Sequence, residues 1–110
     1  MDCENCNNHF AQLKESIKEV IVSKHFKKDF PDFDPKVIID AEHESHNRLH
    51  KYEEVLGGIT LFRAIINHIH LVYVVDDKHR LIFLRAFKNF KNYGQFLSNK
   101  TNIKEMVNSI

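Results

Sequence analysis

An α+β domain is the fold class this 110-residue sequence predicts, and three observations carry it. Apolar stretches at Leu61–Ile66, Ile69–Val75 and Leu81–Phe87 follow one another across two polar breaks, Asn67-His68 and Asp76-Asp77-Lys78, which is the pattern of a three-stranded meander. Upstream, Asp34-Pro35 is a strong helix start, an Asp N-cap followed by Pro at the first helical position. Downstream, Phe96-Leu97 and Ile103, Met106, Val107 and Ile110 recur at helical spacing. Strands joined mostly by hairpins, with a helix or helical hairpin on one face, predict a small antiparallel sheet of about four strands.

The elements follow in order. Residues 1–16 form an N-terminal arm or short helix, in which Phe10 and Leu13 share a helical stripe with Ile17. Ile17–Ser23 is rich in β-branched residues and opens the sheet, although the leading helix could equally run through it. Lys24–Phe30 reads as a turn or short helix before Pro31 and Pro35. From Lys36 to about Leu56, apolar residues at Val37, Ile38, Ala41, Leu49, Tyr52, Val55 and Leu56 predict an amphipathic helix ended by Gly57-Gly58. The meander comes next, and a C-terminal helix over 98–110 closes the chain. The whole is one domain, with its core at 17–97.

Composition narrows the function. At 43 % apolar residues and nine phenylalanines, the chain is rich enough to bury a packed core. It has no stretch near the roughly 20 apolar residues of a membrane span. The opening MDCENCNNHF has no apolar h-region, and two cysteines do not make a disulfide framework, so a cytoplasmic protein without membrane contact is expected. The net charge of +1 hides an asymmetry: residues 1–60 carry −4 and residues 61–110 carry +5. Lys78 to Lys104 includes seven Lys/Arg and no carboxylate, which suits a polyanion.

Those same residues carry a family resemblance. IKEVIVSKHFKKDF reads as a strand entering a basic-aromatic turn at Lys27-Lys28. Phe62-Arg63 places a cation on a strand, Ile69-His70-Leu71-Val72-Tyr73-Val74-Val75 forms the next strand, and the run from Arg85 through Lys88 and Lys91 ends at Tyr93. Over residues 17–97 this resembles the RelE/ParE superfamily of type II toxin–antitoxin modules. The resemblance implies an endoribonuclease that cuts mRNA, usually on the ribosome, with the RNA's own 2′-hydroxyl as nucleophile, and that is neutralised by a cognate antitoxin. It implies no metal and no other cofactor. The alternative within the same fold is a ParE-like, non-catalytic inhibitor of gyrase, or a nucleic-acid or protein binding module.

Carried over, the resemblance implies a catalytic set of His70, Tyr93, Arg63 and Lys88, and RNA-binding residues Lys27, Lys28, Arg85 and Lys91. Two departures stand out. His70 replaces the arginine that precedes Leu-Val-Tyr in nuclease members, and Asn92 stands where several have a histidine. Transfer to a 2′-oxygen needs a base, a cationic clamp and an acid. His70 titrates near neutrality and suits the base. Arg63, Arg85, Lys88 and Lys91 suit the clamp, and Tyr93 suits proton transfer or base stacking. Strand alternation puts Arg63 with Ile65, puts Ile69, Leu71 and Tyr73 toward the core, and puts His70 with Val72 and Val74 on the other face. It also pairs His68 with His70 if the strand is continuous.

Two further constellations carry less. His43, His46 and His50 share one face of the expected helix, and Cys3-x-x-Cys6-x-x-His9 resembles half a zinc site. Neither has enough convergent ligands, so no metal site is expected. No P-loop, dinucleotide glycine pattern or serine nucleophile elbow is present.

Overall fold

A computed structural model describes residues 15–39, 51–56 and 58–110 of the chain. Its elements run β1 (Glu19–Val22), α1 (Lys24–Asp29), α2 (Lys36–Ile39), β2 (Lys51–Leu56), β3 (Ile59–Ile66), β4 (Ile69–Val75), β5 (Arg80–Phe87), α3 (Phe90–Ser98) and α4 (Lys100–Asn108). The fold is α+β, as the sequence predicts. The strands form one sheet in the order β1-β5-β4-β3-β2.

The meander forms because its turns suit it. Asn67 and His68 both take positive φ, 52° and 66°, the two-residue hairpin geometry whose twist matches the flanking strands. β3 and β4 therefore pair in register from Thr60–Val75 to Ile66–Ile69. At the other end, the Asp76 carboxylate accepts hydrogen bonds from the Lys78 and Arg80 N–H groups at 3.0 and 2.9 Å and holds the Arg80 guanidinium at 2.7 Å. His79 closes that turn at φ 63°. Burial is the largest single influence on the Asp76 carboxyl and raises its pKa. The Arg80 N–H, the Arg80 guanidinium and the Lys78 N–H together outweigh it and leave the pKa below the ordinary aspartate value.

Four expectations are corrected. The sheet has five strands rather than about four, and it is mixed, because β1 lies parallel to β5. The long helix over 36–56 does not form as read. Asp34 does cap a helix, accepting from the Lys36 N–H at 3.0 Å, and α2 is described over Lys36–Ile39, but 51–56 is a strand against β3. The free edge of β3 offers a backbone ladder, which overrides a local period. Gly58 makes the connecting turn at φ 73°, where a Cβ would also meet the Asp77 side chain at 3.4 Å. His68 sits exposed in a turn rather than on a strand face beside His70. Finally, helices cover both faces of the sheet.

On the first face α1 and α2 pack over Phe62, Ala64, Leu71, Tyr73, Val75, Leu81 and Phe83. On the second, α3 and α4 pack over Leu61, Val72, Val74, Ile82, Leu84 and Phe87. Asn99 joins those two helices. Its N–H closes α3 onto Phe96, and its side chain accepts from Asn102 to open α4. The expected C-terminal helix over 98–110 thus corresponds to α4. Residues 1–14, with Cys3, Cys6 and His9, and the residues His43, His46 and His50 lie outside the described part of the chain.

Candidate functional site

The second face is not packed along its whole length. Alternation in β3 puts Arg63 and Ile65 on this face, beside Leu61. Alternation in β4 puts His70 there with Val72 and Val74, as the sequence predicts. Register sets Arg63 opposite Val72 and Ile65 opposite His70, so the arginine and the histidine are diagonal neighbours near the β3–β4 turn.

The third member arrives on a helix. β5 ends at Phe87, and Asn89 then caps α3, its side chain accepting from the Lys91 and Asn92 N–H groups at 2.7 and 3.1 Å. One turn on, Tyr93 drops onto the sheet and is only 4 % exposed. Its ring stacks on His70 with centroids 4.6 Å apart and 26° between the planes. Its hydroxyl accepts a hydrogen bond from Arg63 Nη1 at 3.0 Å. Three of the four expected catalytic residues therefore meet, drawn from two strands and a helix. In that bond the Tyr93 hydroxyl is the acceptor and the Arg63 cation the donor.

His70 is half-buried, and its Nδ1 is buried with no hydrogen-bond partner among the described residues. Burial, and then the positive charge of Arg63, lower its pKa below the ordinary histidine value of 6.5. The imidazole is thus neutral at pH 7, the form a general base must have.

The other expected residues stand outside this contact, with Lys27 and Lys28 on α1, which covers the opposite face of the sheet. Lys88 and Lys91 are exposed on either side of Phe90, at the start of α3. Arg85 is gripped by Asp29: Nε donates at 2.6 Å and Nη2 at 3.3 Å, and the Ala86 N–H donates to the same carboxylate at 3.1 Å. β1 has ended by this point. Ser23 donates to the Leu84 carbonyl at 2.8 Å, so Ser23 and Asp29 between them complete the exposed edge of β5. Asp29 also ties down the end of α1, where Lys27 and Lys28 stand exposed. A cleft of about 270 Å³ opens between Asp29, Arg85, Phe87, Lys88, Asn89 and Asn92. A larger one, about 460 Å³, lies between Ile21, Val22, Lys24, His25, Met106 and Ile110 and contains none of the expected site residues.

Sequence reasoning missed Asp29 and Phe90. Asp29 meets its partner only through a contact 56 residues away. Phe90 did leave a signal, an aromatic set inside the polar run Lys88-Asn89-Phe90-Lys91-Asn92. Among the described residues no group of three His, Cys, Asp or Glu side chains gathers, and no helix is long and apolar enough to cross a membrane. No family model, curated protein or solved structure matches this chain.

Proposed function

We propose that the chain is a cytoplasmic toxin of the RelE/ParE kind. In this reading it is a metal-independent endoribonuclease that cuts mRNA on the ribosome and is restrained by a cognate antitoxin. One observation carries the reading: a base-form imidazole, a guanidinium and a phenol, distant in sequence, converge at the open end of one sheet face beside exposed lysines.

The roles follow from these positions. His70 takes the proton of the 2′-hydroxyl. The 2′-oxygen forms a bond to phosphorus as the bond from phosphorus to the 5′-oxygen breaks. Tyr93 gives its proton to that leaving oxygen and regains one from His70 through solvent. The products are a 2′,3′-cyclic phosphate and a free 5′-hydroxyl. Arg63 faces the charge that builds on phosphorus, and its hydrogen bond to Tyr93 steadies the phenolate. Lys88 and Lys91, exposed at the start of α3, hold the flanking phosphates.

Induced expression should arrest growth and translation and leave RNA ends with cyclic phosphates. His70→Ala and Arg63→Met should each cut the cleavage rate by about 10²–10⁴-fold. Full cleavage or full growth arrest in both variants would refute the assignment. The deep burial of Tyr93 favours a second reading, a ParE-like inhibitor in which this cluster only packs α3 on the sheet. That reading calls for lost DNA supercoiling with intact mRNA.

A further inference from the structure

We propose that Phe90, with Ile65 on the opposite side of His70, is a stacking platform for one unpaired nucleobase, whose flanking phosphates meet Lys88 and Lys91. The inference rests on the reading of this chain as an RNA-directed protein and names a part of the site that the catalytic roles do not use.

Among the described residues four large apolar side chains are exposed: Val20 at 41 %, Ile65 at 43 %, Phe90 at 69 % and Ile110 at 38 %. Single exposed apolar residues are ordinary on protein surfaces. Here, however, two of the four flank one half-buried imidazole. Ile65 is the cross-strand partner of His70, and the Phe90 ring lies 5.6 Å from the His70 ring and 5.8 Å from the Tyr93 ring. Rings therefore run without a break from buried Tyr93 through His70 to Phe90 in solvent. Asn89 fixes the backbone beneath Phe90 by capping α3, so the ring stands on a rigid base.

The surroundings select the occupant. The residues next to Phe90 in the chain are Lys88, Asn89, Lys91 and Asn92, and no carboxylate occurs from Lys78 to Lys104. The carboxylate that lines the neighbouring cleft, Asp29, is held by Arg85 at 2.6 Å. An apolar ring between cations fits an unpaired base between phosphates. Two apolar side chains fall far short of the roughly 800 Å² per partner of a stable protein interface, whereas one base needs little more than one ring.

The test uses a 2′-O-methyl RNA ten-mer, which lacks the 2′-hydroxyl and so binds without being cut. The chain has no tryptophan, so Phe90→Trp adds a single reporter. Its emission should be quenched by the single strand and not by the same strand in a duplex. Phe90→Ala should weaken single-strand binding about 5- to 150-fold with no change in salt dependence. Lys88→Gln and Lys91→Gln should each flatten the slope of log affinity against log salt by about 0.7. Wild-type affinity in Phe90→Ala, or equal quenching by the duplex, overturns the platform. Cleavage by His70→Ala is scored separately. If cleavage persists while Phe90→Ala loses affinity, the catalytic assignment of His70 falls and the platform stands. If cleavage is lost while Phe90→Ala binds normally, the platform alone falls.

Discussion

The two faces of the sheet use their aromatic residues differently. Under α1 and α2, six rings touch in sequence: Phe30, Phe26, Phe33, Phe83, Tyr73 and Phe62, with neighbouring centroids 5.0–6.4 Å apart. Phe26, Phe62, Tyr73 and Phe83 have no exposed surface. Under α3 the rings run from Phe96 and Phe87 through Tyr93 and His70 out to exposed Phe90, and His70 and Tyr93 pack beside a guanidinium. The first face is closed and apolar to its edge. The second begins that way at Ile82 and Leu84 and ends in titratable and charged groups. A sheet covered on both sides can leave one end unsealed because the other face supplies enough burial to hold the fold.

The largest test of that contrast is a cavity in the closed face. Phe83 contacts Phe26, Phe33 and Tyr73. Phe83→Ala should cost about 3–5 kcal/mol of stability in urea unfolding and leave single-stranded RNA affinity unchanged while the protein remains folded. Tyr93→Phe makes the opposite change. It keeps the ring on His70 and removes only the hydroxyl that accepts from Arg63, so the stability cost should be about 1 kcal/mol. If the open end is a site, that small change should nonetheless cut RNA cleavage by about 10²–10⁴-fold. Equal, modest losses in both assays would make the two faces alike.

Local pattern explains how much of this was legible. β3, β4 and β5 were readable to within about two residues, because alternating burial and polar breaks are local signals. The faces of Arg63, with Ile65, and of His70, with Val72 and Val74, each followed from parity along its own strand. That Tyr93 meets them did not, since it depends on where a helix lands after Asn89. The 36–56 reading failed for the same kind of reason. Asp34 caps a helix as expected, but what makes 51–56 a strand is β3, whose pairing no local period reveals. Asp29 was opaque because Arg85, its reason for being there, is far along the chain.

A smaller effect separates the faces by pH. The folded-state pKa of His70 lies below 6.5, so the unfolded chain binds more protons just below that value. Its contribution to stability is therefore intact above pH 6.5 and is lost as the pH falls from there toward the depressed pKa. His70→Phe should remove that loss, read as the difference in urea midpoint between pH 7.5 and 5.5. Arg63→Met should shrink it in part, because burial still acts on the imidazole. Asp76, in the turn at the far end of the sheet, works in a different window. Its lowered pKa leaves its contribution intact until the pH falls below about 3.9. The part of the acid sensitivity between pH 7.5 and 5.5 that His70→Phe removes thus reports the open end.

The smallest expected effect asks whether the open end is loose in its backbone or only in its side chains. Asn67 and His68 make the turn beneath it, and both carry positive φ. Asn tolerates that region better than His, because its short side chain bonds locally. Relieving a non-glycine residue there recovers about 1–3 kcal/mol, and glycine's extra freedom in the unfolded chain takes back about 0.5–1 kcal/mol. His68→Gly should therefore stabilise by about 0.5–1 kcal/mol, a Tm rise of a few degrees, while Asn67→Gly should gain less. His68 is exposed, so neither RNA affinity nor cleavage should change. A loss of stability at 68, or a larger gain at 67, would mean that the turn does not hold the paired geometry that sets Ile65 opposite His70. The register beneath the site would then need to be redrawn.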